Sequence, residues 1–519
     1  MNRVLVGFAR RRQLAWDANI PISVHAWRIF TERIAAVGDP ALRAELDALV
    51  DRFEQALASI AAAAEADSLR AALESLEALF VEVTGVAAHR ADGAMYAGRS
   101  LCYFDALRAL DGTLGTDFLD SIDDALALLL RSADWYADRL ARGYAAALDA
   151  LVRRHRDAHP HQPTRLSDVW ASSLALFWGP EPAPLLDATD ELSRRWAGVL
   201  GRFGDAGSRV QVTAAEIAAD VAAAFEAVTP LPELSVHSPD LQLVSAGPDA
   251  LAAGDFTVVL GELHACYASF DVPVFDWSLP RGSAREAVNQ VLGLQRLVPL
   301  FPDGWRRNTG RVVAASAGSS DQLLGFARAA TPDRTRVWSM ASITIVEGAD
   351  GLELECPDGR RLPLLSAWLV PIGMVAADGF KVGLGGPHTP RLSIDRLVVF
   401  RETWRLDTRD VALPPRPSRH ADFVAVRDWQ LRHQLPDEVF VKFATEVKPT
   451  YLAFASPQLV AAFAAAVRAQ RRADDEPRVV VSEALPRPAD SWLTDTRGRR
   501  YVSEVRLQLT RARTPQEEL

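Results

Sequence analysis

Apolar residues in the first third of the chain recur at the spacing of helices. From Ala26 to Ala66 they form one broad stripe, which predicts a helix. A second helix is predicted over about Ser68–Val83, before Gly85, a residue suited to a left-handed cap. A third is predicted over about Asp117–Arg156 and is stopped by Pro160. Because their remaining faces are charged, we expect these helices to pack on one side, to face solvent on the other and to carry no catalytic residues.

Proline and glycine separate these helices from the second half of the chain. The run Pro180–Pro184 and the stretch Gly201–Ser208 favour loops. Thr213 and Glu216 have the spacing of a capping box, which predicts a short alanine-rich helix. Three prolines between residues 230 and 239 mark the next break, so we place a domain boundary near there.

The second half changes to the period of strands. Phe256–Leu260 has the pattern of a buried strand. Leu352–Cys356 alternates, meets a turn at residues 357–359 and returns over Leu362–Pro371, which predicts a hairpin. One more helix is predicted over about Ser456–Arg472. Further strands are predicted over Arg336–Glu347, Leu392–Phe400, Glu438–Phe443, Val479–Val481 and Val502–Leu509.

This order of elements predicts an α+β fold. An N-terminal helical region, residues 26–235, is followed by a region of mixed or antiparallel sheet with interspersed helices, residues 236–510. Residues 511–519 form a polar tail.

The net charge and the basic residues bear on whether the chain binds nucleic acids. A net charge of −10 argues against nucleic-acid binding through bulk attraction. Of the 57 basic residues only Lys381, Lys442 and Lys448 are lysines. The others are arginines, whose planar fork suits phosphate and carboxylate groups. A GC-rich genome that favours arginine codons explains the same bias, and we give this explanation the larger share.

Several common chemistries lack their sequence signals. The cysteines Cys102, Cys266 and Cys356 are too far apart for a zinc knuckle or a disulfide framework. His155, His159 and His161 lack the general-base glutamate of zinc hydrolases, so a solvated helix end is favoured. The glycine-rich run before Pro387 lacks the P-loop lysine, and no G-x-S-x-G motif is present.

No stretch approaches the roughly 20 apolar residues that cross a bilayer. The N-terminus has no secretory signal, which predicts a cytoplasmic location without membrane partners.

Five ordered segments resemble the lantibiotic dehydratase family. They are Leu79–Gly85 with Met95–Asp105, Val259–His264, His388–Trp404, Leu435–Val441 with Lys448-Pro449, and Glu483–Arg506. The first keeps Arg99, Tyr103, Asp105 and Arg108, while Phe104 stands where the family has an acidic residue. The third is the strongest match.

The resemblance implies a glutamylation module of ribosomal peptide biosynthesis, as in lanthipeptide antibiotics. Such a module takes glutamyl-tRNA and esterifies Ser or Thr side chains of a precursor peptide, the first step of their dehydration. The reaction implies no metal or nucleotide cofactor, because glutamyl-tRNA is a co-substrate.

The same resemblance implies the site residues. Arg99, Arg391 and Arg401 are candidates for binding the tRNA acceptor end and the glutamate carboxylate, and Asp105 for orienting the hydroxyl or accepting its proton. Candidates for substrate binding are Arg108, Glu262, His264 and Arg499. For each, the alternative is a structural ion pair. We expect the surface around Arg99 and Arg391 to be locally positive.

The resemblance also implies parts that the chain lacks. Residues 1–25 resemble the exit from the family's winged helix, which grips the leader peptide, and no elimination domain is recognisable. The leading hypothesis is therefore a transferase that needs a partner chain supplying the missing N-terminal or elimination part. The alternatives are a non-catalytic subunit that binds the peptide or a partner, and a gene whose true start lies upstream.

Overall fold

A computed structural model describes most of the chain: residues 20, 26–88, 101–102, 113–203, 207–269, 283–301, 317–325, 336–382, 386–446, 448–473 and 477–510. The chain forms two compact units. The first contains Met1–Leu107, Asp271–Glu286 and Val298–Met340, and the second contains Arg108–Phe270, Ala287–Leu297 and Ala341–Leu519. The boundary predicted near residue 235 falls within the second unit, where the chain changes from helices to strands.

The described helices follow in chain order. They are α1 (Ala26–Ala35), α2 (Pro40–Ala62), α3 (Ala66–Thr84), α4 (Thr116–Asp120), α5 (Asp123–Ala158), α6 (Leu166–Ser173), α7 (Ala175–Trp178), α8 (Ala183–Leu200), α9 (Ala214–Ala224), α10 (Pro248–Ala252), α11 (Ser283–Leu292), α12 (Leu369–Gly379), α13 (Arg419–Arg432) and α14 (Pro457–Ala473).

The described strands are numbered in the same way. They are β1 (Arg209–Val212), β2 (Ser238–Val244), β3 (Thr257–His264), β4 (Leu297–Leu300), β5 (Gln322–Gly325), β6 (Val337–Ser339), β7 (Thr344–Glu347), β8 (Leu352–Glu355), β9 (Arg361–Pro363), β10 (His388–Thr389), β11 (Arg391–Ile394), β12 (Leu397–Phe400), β13 (Thr403–Asp407), β14 (Glu438–Phe443), β15 (Thr450–Ala453), β16 (Arg478–Glu483), β17 (Leu493–Thr494), β18 (Arg500–Tyr501) and β19 (Val505–Arg506). The predicted α+β class is confirmed.

The first unit contains α1, α2 and α3. The single helix predicted over Ala26–Ala66 was wrong, because the chain breaks between α1 and α2. Pro40 starts α2, and the Asp39 side chain accepts hydrogen bonds from the backbone N–H groups of Ala41 and Leu42. The predicted glycine cap of α3 is confirmed, since Gly85 adopts a left-handed conformation with φ of 66°.

Helix α5 of the second unit is 36 residues long. Its buried side includes Trp135, Tyr136 and Tyr144 and packs against α8. The prediction of one helix over Asp117–Arg156 was wrong at its start, where α4 ends before α5 begins. Helix α8 was missed because its prolines were interpreted as a loop, although proline is favoured in the first turn of a helix.

A mixed six-stranded sheet follows in the second unit, in the order β1-β11-β12-β3-β2-β19. Strands β11 and β12 form a hairpin, so the single strand predicted over Leu392–Phe400 was wrong. Asp395 turns the chain with a positive φ of 50°, and its carboxylate accepts a hydrogen bond from the backbone of Ala214. Strand β12 pairs in parallel with β3 and thereby places the end of β12 beside Glu262 and its neighbours.

An antiparallel five-stranded sheet comes next, in the order β10-β13-β16-β14-β15. Inward-facing residues of this sheet form one apolar core with α13 and α14, centred on the buried Trp429 and Phe463. Strand alternation turns the other residues to the opposite face, as the exposure of Phe440 and Val480 indicates.

Two strands are shorter than predicted. After β9 the chain does not continue as a strand to Pro371 but enters a 3-10 turn, Leu364–Ala367, and then α12. Helix α12 is apolar on nearly all sides and therefore shows no helical period. The strand predicted over Val502–Leu509 is reduced to Val505–Arg506.

None of the described helices has the length and apolar character needed to cross a membrane.

The capping box predicted at Thr213 and Glu216 is confirmed and gives a stability prediction. Glu216 N donates to Thr213 Oγ1 over 3.3 Å, and Thr213 N donates to Glu216 Oε2 over 2.6 Å. We expect Thr213→Ala to lower the free energy of unfolding by about 1 kcal/mol in urea denaturation. Thr213→Ser keeps the cap and is the control. Equal losses in both variants would contradict this role of the cap.

Candidate active site

A cavity of about 380 Å³ lies in the second unit where β12 leads into β13. Its walls come from β3, the residues that follow α12, the β12–β13 junction and β16. The charged lining residues are Glu262, Lys381, Arg401 and Arg405, and the hydroxyl-bearing ones are Thr389, Thr403 and Ser482. This volume is in the range of small-ligand sites. The lining therefore suits a ligand that carries both positive and negative groups.

Arg401 is the most buried cation that lines this cavity, and its hydrogen-bond partners among the described residues are neutral. Its Nε donates to Leu485 O over 2.7 Å, Nη1 to Leu260 O over 3.2 Å and Nη2 to Gln242 Oε1 over 2.9 Å. Within the described residues it makes no ion pair. Burial lowers the pKa of Arg401, although the charges of Glu483 and Glu262 oppose this shift. Because a guanidinium carries further N–H donors, Arg401 can still bind an anion.

Glu262 and Lys381 form an ion pair at the same cavity. Lys381 Nζ donates to Glu262 Oε1 over 2.9 Å, and about half of each side chain is exposed. Burial raises the pKa of Glu262, but the hydrogen bond from Lys381 and the charges of Lys381, His264 and Lys448 outweigh it, so the pKa lies below its ordinary value. Glu262 is therefore a carboxylate at neutral pH.

His264 connects this pair to the interior of the sheet. Its Nε2 lies 3.2 Å from Asp240 Oδ2 and 3.8 Å from Glu262 Oε2, and its Nδ1 lies 3.3 Å from Ala377 O. Arg506 Nη2 also lies 3.2 Å from the buried Asp240 carboxylate. Burial lowers the pKa of His264, but the hydrogen bond to Asp240 and the two carboxylate charges raise it above its ordinary value.

A titration tests this arrangement. Since the pKa of His264 is raised by folding, its protonation stabilises the fold fully below about pH 6.5. That contribution is lost as the pH rises through the pKa of the folded state. We expect Asp240→Asn to lower the pKa of His264, as measured by NMR titration of its ring protons. An unchanged pKa in that variant would rule out Asp240 as the main partner that raises it.

Arg391, predicted as a catalytic residue, lies in a different network. Its Nε donates to Glu483 Oε1 over 2.8 Å, and its Nη2 contacts the other oxygen of that buried carboxylate. Glu483 also accepts the backbone N–H of Glu402 over 2.9 Å, and Glu402 contacts His388. The hydrogen bond to Glu483 raises the pKa of Arg391, although burial opposes it. The charge of Arg391 is thus balanced, and Arg391 does not line the cavity.

The other predicted residues are not brought to the cavity or lie outside the described residues. Arg499 Nε donates to Asp495 Oδ2 over 2.7 Å in the turn before β18. Arg99, Asp105 and Arg108 fall among residues that the structure does not describe, so their predicted roles stay predictions. The expected positive surface around Arg99 and Arg391 stays a prediction as well. Of the predicted residues, Glu262 and Arg401 line the cavity, and His264 contacts Glu262.

Sequence reasoning missed Lys381 and Arg405. The signal was present, since the chain has only three lysines. Lys381 pairs with Glu262, and the charge of Lys448 acts on the same carboxylate. That these two lysines act on one carboxylate is visible only in the fold.

The sequence places three histidines near the end of α5, at a spacing that could hold a metal ion. His155 and His159 stack with ring centroids 4.5 Å apart, and the His159 ring contacts His155 O. Among the described residues no group of three or more His, Cys, Asp or Glu side chains is placed to hold a metal ion.

The cavity lies largely in a segment with a known family signature. Residues 379–446 match the family model described as "Lantibiotic dehydratase, N terminus". That segment contains Lys381, Arg401, Arg405 and Lys442. The resemblance to the lantibiotic dehydratase family is confirmed. No curated protein matches the chain.

Three solved structures have a similar fold. The glutamylation domain TbtB from thiomuracin biosynthesis is 17% identical, with a TM-score of 0.52 over 98% of this chain. The same domain bound to 5'-phosphodesmethylglutamycin is 16% identical, with a TM-score of 0.51. The tRNA-dependent lantibiotic dehydratase MibB from Microbispora sp. 107891 is 15% identical, with a TM-score of 0.51 over 93% of this chain.

The likeness covers only part of those proteins. This chain spans 66% of the TbtB chain and 48% of the MibB chain. At these sequence identities the likeness shows a common fold, and the chemistry has to be argued from the cavity itself.

Proposed function

We propose that this chain is part of a glutamyl-tRNA-dependent transferase. It transfers glutamate to Ser or Thr side chains of a ribosomally made precursor peptide, and the resulting ester is the first intermediate of dehydration. The proposal rests on the cavity in the segment that carries the family signature. Its partners in this proposal are glutamyl-tRNA, the precursor peptide and a separate chain that supplies the remaining parts of the enzyme, all in the cytoplasm.

The observation that carries the proposal is the Arg401 guanidinium, whose acceptors among the described residues are all neutral. A buried cation that has only neutral acceptors is costly, and an anionic ligand relieves that cost. The glutamyl group of glutamyl-tRNA carries a side-chain carboxylate and an α-ammonium group. Arg401 matches the carboxylate, and the ionised Glu262 matches the ammonium group.

The transfer needs no change of oxidation state. The Ser or Thr hydroxyl oxygen attacks the ester carbonyl carbon of glutamyl-tRNA, and the bond between that carbon and the ribose oxygen breaks. The hydroxyl proton passes to the departing ribose oxygen. Lys381 lies beside Glu262, where its ammonium group stabilises the negative charge that develops on the carbonyl oxygen.

A transfer assay tests the proposal. The purified chain is incubated with labelled glutamyl-tRNA and the short peptides encoded next to its gene, with and without a lysate of the source organism. We expect labelled glutamate as an alkali-labile ester on the peptide, and its loss in Lys381→Gln. Arg432→Gln, on the exposed side of α13, is the control. A peptide that binds but never receives glutamate would favour the non-catalytic binding subunit.

A further inference from the structure

The face of the five-stranded sheet opposite α13 and α14 carries exposed residues of the kinds that bind nucleic acids. We name this face the open face and define it by Arg405, Val480, Ser482, Phe440, Lys442 and Tyr451. Helices α13 and α14 cover the opposite face. Phe440 and Val480 are 37% and 36% exposed, values unusual for strand residues of a packed sheet.

Strand pairing arranges these residues in two rows. In the first, Thr403 is opposite Ser482, Ser482 is opposite Phe440, and Phe440 is opposite Tyr451. In the second, Val480 lies between Arg405 and Lys442. The first row therefore ends in an aromatic pair, and the second places a cation on each side of an exposed apolar residue.

The aromatic pair is fixed by its surroundings. The rings of Phe440 and Tyr451 lie edge to face with centroids 5.8 Å apart. The Tyr451 hydroxyl donates to Glu438 Oε2 over 2.8 Å, and burial together with this carboxylate raises the pKa of Tyr451 to about 12. The pair thus offers a neutral, ordered surface for stacking.

The cations of the open face are not neutralised by the fold. Among the described residues, Lys442 Nζ contacts the carbonyl of Glu446 over 3.3 Å, and Arg405 donates to Gly386 O and to Thr389 Oγ1. Neither makes an ion pair within the described ranges. Of the carboxylates nearby, Asp407 pairs with Arg409, and Glu438 keeps its negative charge but is held by the Tyr451 hydroxyl, so two cations face one unpaired carboxylate. This leaves local positive charge in a chain whose net charge is −10.

The open face is continuous with the cavity. Arg405 and Ser482 belong to both, and Thr403 of the cavity lies opposite Ser482. Tyr451 is two strand spacings from Ser482, a distance of about 10 Å. A chain whose end lies in the cavity can therefore place the units before that end on the aromatic pair.

We propose that the open face binds the single-stranded 3′ end of an RNA, with bases stacked on Phe440 and Tyr451 and phosphates contacted by Arg405 and Lys442. Aromatic rings interleaved with cations on a sheet are a general solution for unpaired RNA. The inference rests on the proposed function for the identity of that RNA, a transfer RNA. A peptide strand is the competing occupant and is an outcome of the test below.

Fluorescence anisotropy with the full chain tests the inference. The probe is an uncharged RNA hairpin that ends in the unpaired nucleotides ACCA, and the reference probe is the same hairpin with a blunt end. We expect the chain to bind the tailed hairpin more tightly than the blunt one. Phe440→Leu is expected to weaken only the tailed hairpin, by about fivefold to a hundredfold. Lys442→Gln is expected to flatten the dependence of log Kd on log salt concentration by about 0.7.

Two variants on the covered side of the same sheet serve as controls. Leu431→Ala and Arg432→Gln lie on α13, and we expect both to bind the tailed hairpin like the wild type, with unfolding temperatures matched across the set. Equal binding of tailed and blunt hairpins overturns the inference. So does unchanged RNA binding in Phe440→Leu and Lys442→Gln, and so does a loss of precursor-peptide binding alone, which assigns the face to peptide. Glutamyl-adenosine does not extend onto the aromatic pair, so its binding tests the cavity separately.

Discussion

Replacement of Arg401 by glutamine is expected to weaken the binding of an amide-linked glutamyl-adenosine by about tenfold to a hundredfold. The reason is the loss of a charge-assisted hydrogen bond to the ligand carboxylate inside a partly buried site, worth about 1.5–3 kcal/mol. Isothermal titration calorimetry measures the effect. The glutaminyl analogue has no such carboxylate, so we expect its weaker binding to change little in the same variant.

Arg401→Lys serves as the matched variant. It keeps the charge but cannot donate to Leu485, Leu260 and Gln242 together, as the guanidinium does. We expect an intermediate loss of affinity for the glutamyl analogue. If Arg401→Gln weakens both analogues equally, its effect is structural and the assignment of Arg401 to the carboxylate fails.

Replacement of Glu483 by glutamine is expected to lower the free energy of unfolding by about 3–5 kcal/mol. The Arg391 side chain is 21% exposed and the Glu483 side chain 5%, so the variant leaves a largely buried guanidinium without its counter-charge. Urea denaturation measures the loss. Because folding raises the pKa of Arg391, the protonated guanidinium contributes to stability fully below the pKa of unfolded arginine, and this contribution is lost only as the pH rises through the pKa of the folded state.

Two further variants test whether the loss of stability in Glu483→Gln comes from the buried charge of Arg391. Glu355→Gln breaks an ion pair with Arg361 in which both side chains are about half exposed, and we expect a loss of at most about 1 kcal/mol. The double variant Arg391→Met with Glu483→Leu is expected to recover most of the stability, because an apolar pair replaces the charged one. If Glu483→Gln is as stable as the wild type but loses the glutamyl analogue, Arg391 is a ligand-binding residue, as the sequence resemblance suggested.

Local patterns predicted the elements whose signals are local. The glycine cap after α3 and the capping box of α9 need only neighbouring residues, and both were predicted correctly. Helix α12 was missed because burial on nearly every side removes the helical period. Helix α8 was missed because proline in a first turn has the same sequence signal as proline in a loop.

The candidate site was predicted only in part for a different physical reason. Glu262 and Arg401 could be selected by resemblance, but their meeting depends on the parallel pairing of β12 with β3, which no local pattern encodes. Lys381 follows α12, and Arg405 lies on β13, two elements that the sequence did not predict. Arg391 is only ten positions before Arg401, but it lies on β11, on the side of β12 away from β3, and does not line the cavity.

The central claim is that the cavity around Arg401 and Glu262 holds the glutamyl group of a charged transfer RNA. The most direct measurement compares the dissociation constants of the wild-type chain for amide-linked glutamyl-adenosine and glutaminyl-adenosine. Our account predicts that the glutamyl analogue binds at least about tenfold more tightly, since only its carboxylate satisfies Arg401. Equal affinity for the two analogues, or no binding of either, would contradict it.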